Sequence, residues 1–155
     1  MKNLSPAIKA VITAIIMIAA SLLYDKWHEQ LNPNLQYFIY LIYLVGIVWT
    51  LIGISGSFGQ LFATAFRHFI VVTIFMVSFT FIFIQFHPEL AEQEKAATIR
   101  YYQEKGDKTP LEIEDIARKA KKQYALAMVS ISIFRYLIIG AAFSAGAAAF
   151  LSRRK

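Results

Sequence analysis

Apolar positions in this chain come in long unbroken runs, not in the alternation of strands or the one-sided stripe of soluble helices. Four such runs, at about 7–24, 35–54, 64–86 and 126–151, are each long enough to cross a bilayer as a helix. The first opens with Ser5 as a candidate N-cap and Pro6 at the first helical position, where a missing N–H costs nothing. The second ends at Ser55-Gly56-Ser57, and Asn32-Pro33-Asn34 marks a turn before it. Ahead of the third, Phe58, Leu61, Phe62, Ala65, Phe66 and Phe69 fall at i, i+3, i+4, i+7, i+8 and i+11. That spacing predicts an amphipathic helix lying in the interface before the chain turns inward. His87-Pro88 then breaks or kinks the chain.

Between runs three and four, from Pro88 to Tyr124, the character changes: eight Lys/Arg and eight Asp/Glu gather here. Gly106 is a good residue to end a helix, with Lys105 beside it, and Thr109-Pro110-Leu111-Glu112 is a capping box that starts another. Ile113, Ile116, Ala117, Ala120 and Tyr124 share one face of the second helix; Leu90, Ala97 and Tyr101 form a narrower stripe on the first. The expected unit is an antiparallel helical hairpin at 88–124, packed through those stripes. The fold class is therefore all-α membrane protein, four transmembrane helices with a polar helical hairpin between helices 3 and 4, in a single domain over 1–155. The last apolar run, Ala125–Leu151, is 27 residues, about 40 Å as helix, so it must tilt or leave a core of about 30 Å.

Composition agrees with this reading. Hydrophobic residues make up 57% of the 155 and charged ones 17%, against roughly 25% charged in a soluble domain. The apolar run after Lys2 and Lys9 reaches Tyr24 without an A-x-A cleavage site, so it reads as a retained first span. The net charge of +6 comes from basic residues beside apolar runs, which fits anionic headgroups and not nucleic acid. Trp27, Tyr24 and Tyr37 suit an interfacial belt.

Several chemistries are excluded. With no cysteine there is no disulfide or thiolate site. His28, His68 and His87 lack the spacing of paired ligands, so no metal or cofactor is expected. No hydrolase, Walker A or dinucleotide motif occurs, and no carboxylate lies within a span to relay protons. The reading is non-enzymatic.

The candidate residues are few. Arg135 is the one ionisable residue inside an apolar run. It either binds a lipid or polyprenyl phosphate or a partner, or marks an interface, since it lies 18 residues before Arg153, about 27 Å along a helix. Arg67 and His68 are placed to touch headgroups or anchor a helix. Arg118, Lys119, Lys121 and Lys122 form a basic cluster at the base of the hairpin. Gly140, Ala141, Ala142, Ala145, Gly146 and Ala149 allow a close helix approach, with Ala142/Gly146 and Ala141/Ala145 as small-xxx-small pairs. That face serves either internal packing or another copy or membrane protein.

Four spans put both termini on one side. Lys2, Lys9 and Arg153-Arg154-Lys155 argue for the cytoplasm, with the hairpin periplasmic, although Lys26 plus the hairpin carries more basic residues than that side does.

The order Lys2-Asn-Leu-Ser-Pro6, Ser57-Phe-Gly-Gln-Leu-Phe62 with Phe66-Arg67, Phe86-His-Pro-Glu89, and a Glu/Lys hairpin before a small-residue final helix resembles the DUF4199 family. The resemblance implies a four-span protein of a bacterial inner membrane, mainly in Bacteroidota, with no established activity or catalytic residues. It also carries an associational hint of a membrane glycosyltransferase neighbour. Three roles follow as expectations: an accessory or scaffold subunit of a membrane complex; binding of an anionic or polyprenyl-phosphate lipid; and, with less to carry it, a homo-oligomeric pore. Membrane lipids and another membrane protein, or a second copy, are the expected partners.

Overall fold

A computed structural model describes residues 4–27 and 37–153. The turn expected at Asn32-Pro33-Asn34, the start of the second run at Leu35, and His28, Lys2, Arg154 and Lys155 lie outside the described residues. Among those described, the chain is all-helical: α1 (Pro6–Trp27), α2 (Phe38–Leu51), α3 (Phe58–Phe86), α4 (Glu89–Lys105) and α5 (Pro110–Ser152). It divides into two compact units. One comprises Met1–Met76 with Ile133–Lys155; the other is Val77–Ser132.

Helices α1, α3 and α5, of 22, 29 and 43 residues, are long and apolar enough to cross a membrane. Helix α2, at 14 residues, is shorter. Along α1 the usual sorting of side chains is inverted. Helix α1 buries Ala10, Thr13, Ala14 and Met17 and turns Ile15, Ile16, Leu22 and Leu23 outward. Small and polar groups thus sit inside and large aliphatic ones outside, which water would penalise and lipid does not. With three helices this long and apolar, the chain is a membrane protein.

Helix α2 ends at Leu51, earlier than the apolar run predicts. Ile52 turns to an extended ψ of 127° and Gly53 takes φ +82°, a conformation that favours glycine. Helix α3 starts with one arm of a capping box: Ser57 N–H donates to Gln60 Oε1 at 2.9 Å. It then runs unbroken for 29 residues. The expected change of direction after an interfacial segment is absent, because nothing between Phe58 and Phe86 removes a backbone donor. Helix α5 is likewise continuous for 43 residues, so the junction expected near Ala125 is not a break in the backbone.

In the second unit, α4 and the first half of α5 lie antiparallel. Gly106 closes α4 in the left-handed region at φ 67°. Thr109 caps α5, with its N–H and hydroxyl donating to Glu112 Oε2, each at 2.8 Å. Glu92 pairs with Lys121 across the two helices, and Lys108 sits over the Tyr102 ring at 5.6 Å. On α5, Ile113 and Ala117 are buried, on the stripe read from the sequence. On α4 the stripe is different. Leu90 is partly covered as expected, but Ala97 and Tyr101 are exposed, and Ala91, Lys95, Thr98, Ile99 and Tyr102 are the other partly covered positions. The face is rotated by about one residue, roughly 100°. A count of apolar residues alone misses it because the aliphatic stem of a lysine can cover apolar surface.

Two expectations follow. Thr109→Ala should destabilise the start of α5 by about 1 kcal/mol, read as faster hydrogen exchange at Ile113 and Glu114. Backbone and side-chain hydrogen bonds from Thr109 hold the Glu112 carboxyl below the usual range. Lys121 does the same for Glu92, and Lys119 with Arg118 for Asp115. A depressed carboxylate pKa stabilises the folded form above the unfolded value, about 4. That contribution is lost as pH falls through the lower folded values. The α4–α5 pair should therefore hold at neutral pH and loosen below about pH 4, as measured by exchange across Glu89–Lys122.

Candidate functional site

The first unit is joined at two points of close approach, both at glycine. A Cβ on Gly46 of α2 would lie 2.5 Å from Thr13 Cγ2 and Oγ1 on α1. A Cβ on Gly140 of α5 would collide with the Tyr43 hydroxyl and come within 2.8 Å of the Phe69 ring. Tyr43 is fully buried and its hydroxyl donates to the Phe69 carbonyl at 3.3 Å. Its ring meets Tyr136 and Phe143 edge-on, at 6.3 and 6.2 Å. Four helices therefore bring side chains or backbone to these two contacts.

At one end of the α1–α2 pair lies a polar group of residues that the sequence did not bring together. Lys9 Nζ donates to the Trp49 carbonyl at 3.1 Å and lies 5.4 Å over the Trp49 ring. Next in sequence, Thr50 shares a 2.7 Å hydrogen bond with Nδ1 of His68. Both Thr50 and His68 are fully buried. Nε2 of His68 and Oγ of Ser144 have no hydrogen-bond partner among the described residues. Beside Lys9 is a cleft of about 630 Å³ lined by Leu4, Pro6, Lys9, Trp49, Thr50, Ile52, Gly53 and Ile54. Lys9 forms no ion pair with a carboxylate among the described residues.

The residues singled out in the sequence fall as follows. His68 turns inward to Thr50, so it does not face headgroups. Its neighbour Arg67 is exposed. Arg135 is exposed and reaches Tyr40, with Nη1 at 3.5 Å from the hydroxyl; Tyr40 in turn lies 6.3 Å from the Tyr136 ring. On the second unit, Arg118 and Lys119 both pair with Asp115, at 2.7 and 2.8 Å. Lys122 is exposed.

The small residues of α5 divide between two faces. Gly140, Ser144, Ala147 and Ala148 are buried, while Ala142 and Gly146 are exposed and Ala141, Ala145 and Ala149 are intermediate. A Cβ on Gly146 would meet nothing within 4 Å. Internal packing thus uses Gly140-xxx-Ser144-xxx-Ala148, a small-xxx-small series, and leaves the Ala142/Gly146 pair open.

The family model for DUF4199, described as a protein of unknown function, matches residues 8–153. The chain belongs to the DUF4199 family. No curated protein and no solved structure matches it. In this DUF4199 chain, sequence reading missed the Lys9–Trp49–Thr50–His68 group because it links positions on three helices. The one local signal was Thr50, a polar residue at the end of an apolar run.

The two glycines of α5 should respond in opposite ways. Gly140→Ala should destabilise the fold by about 1–3 kcal/mol through overpacking against Phe69 and Tyr43, while Gly146→Ala should be close to neutral; denaturation in detergent measures both. Thr50→Val leaves buried His68 Nδ1 without its partner and should cost about 1–3 kcal/mol by the same measurement.

Proposed function

We propose that this protein is a non-enzymatic accessory or scaffold subunit of a bacterial inner-membrane complex. It would cross the membrane four times, keep both termini cytoplasmic, and hold the α4–α5 hairpin in the periplasm. The observation that carries the docking role is the unoccupied Ala142/Gly146 face of α5, against which a partner helix can approach closely. The other small face of the same helix is already filled by Tyr43 and Phe69. In this reading the hairpin offers a partner polar surface without net charge, since its eight basic and eight acidic residues cancel.

Lipid-phosphate binding by Arg135 with the basic base of the hairpin has less support. Arg118 and Lys119 are paired with Asp115, and Lys121 with Glu92.

The test is native mass spectrometry on protein extracted gently from its own membrane. A membrane-protein partner at fixed stoichiometry is expected, lost in Gly146→Leu and kept in Val45→Leu, an outward position on α2. A monomer from the unaltered chain, or a complex that survives Gly146→Leu unchanged, would refute the docking face.

A further inference from the structure

The cleft beside Lys9 has the make-up of an anion site at the edge of a bilayer. Its charge is one-sided. Lys9 gives one of its three N–H donors to the Trp49 carbonyl, leaving two for a ligand. One wall is the start of α1, through Pro6 and Lys9 with Leu4 just ahead of it, the end at which a helix carries partial positive charge. The opposing wall is the C-terminal end of α2, whose carbonyls would repel an anion, but three of them are already engaged. Val48 accepts from Ile52 N–H at 3.0 Å, Leu51 from Ile54 N–H at 3.1 Å, and Trp49 from Lys9.

Position along the membrane normal points the same way. Lys9 stacks on Trp49, and Lys26 lies 6.0 Å over the Trp27 ring. The two lysines are 17 residues apart on one helix, about 26 Å, close to the thickness of a hydrocarbon core. The paired cations and indoles mark the two interfaces. The cleft therefore opens at headgroup depth, with Leu4, Ile52 and Ile54 as apolar walls and the Lys9 ammonium as its polar part. Its volume, about 630 Å³, lies within the range of ligand clefts, roughly 300–1,000 Å³. The charge balance of the whole chain agrees. Outside the hairpin there are eight Lys/Arg and only two Asp/Glu, so the entire net charge of +6 belongs to the unit that holds this cleft.

We propose that the cleft between α1 and α2 binds the phosphate of an anionic phospholipid, with the Lys9 ammonium as its principal contact and Leu4, Ile52 and Ile54 against the lipid's apolar part. This site is separate from the α5 docking face and does not depend on it.

The experiment measures retention of phosphatidylglycerol against phosphatidylcholine on the full chain by native mass spectrometry, with inorganic phosphate as a competing probe. Preferential retention of phosphatidylglycerol is expected. It should fall about tenfold in Lys9→Gln, return in Lys9→Arg, and stay unchanged in Lys26→Gln at the opposite interface. Ile54→Trp, which fills the cleft without touching the Lys9–Trp49 bond, should abolish it and keeps the test valid if Lys9→Gln fails to fold. Lipid that is retained in millimolar phosphate identifies a headgroup site. Displacement by phosphate at that concentration would overturn the lipid assignment in favour of the free anion. Equal loss in Lys9→Gln and Lys26→Gln, or retention in Ile54→Trp, would overturn the site itself.

Discussion

The first unit depends on how closely its helix backbones can approach. In lipid, each helix satisfies its own backbone hydrogen bonds and apolar side chains gain little by leaving the bilayer, so association rests on packing. Gly140 supplies the tightest contact: the absence of a side chain there admits the Tyr43 hydroxyl and the Phe69 ring. Gly46 does the same for Thr13. The buried polar pairs follow from these approaches. With α1 against α2, Lys9 reaches the Trp49 carbonyl; Thr50 meets His68 of α3.

The two units solve different problems. One turns many large apolar side chains outward, an arrangement lipid favours, and it carries all of the net positive charge. The other is held by features that work in water: a left-handed glycine stop, a capping box and carboxylate–amine pairs. Exposed pairs of that kind contribute little each. They serve better to fix register between α4 and α5 than to supply much stability.

Much of the architecture was legible because its signals are local. Run length marks the apolar helices, and Gly106 with Thr109–Glu112 marks the turn between α4 and α5. The Ser57–Gln60 arm of a capping box was equally local and could have been read as the start of α3. What escaped the sequence was rotational or tertiary. The inner face of α4 was misplaced because Lys95 and Thr98 cover surface as apolar residues would. The two small faces of α5 could not be separated without knowing that Tyr43 and Phe69 occupy one of them. His68 looked interfacial beside Arg67, yet one step around the helix takes it from outside to inside. The Lys9 group joins residues 40 positions apart in sequence, beyond the reach of any spacing rule.

The proposed topology has the chain pass repeatedly through a membrane and hold α4 and the start of α5 outside it. The chain contains no cysteine, so single cysteines can be placed one at a time. A membrane-impermeant maleimide applied to intact cells should label positions 95–120 readily and leave positions 136–150 unlabelled. Labelling along 136–150 at the rate of the hairpin, or a hairpin that reacts only after the membrane is opened, would contradict it.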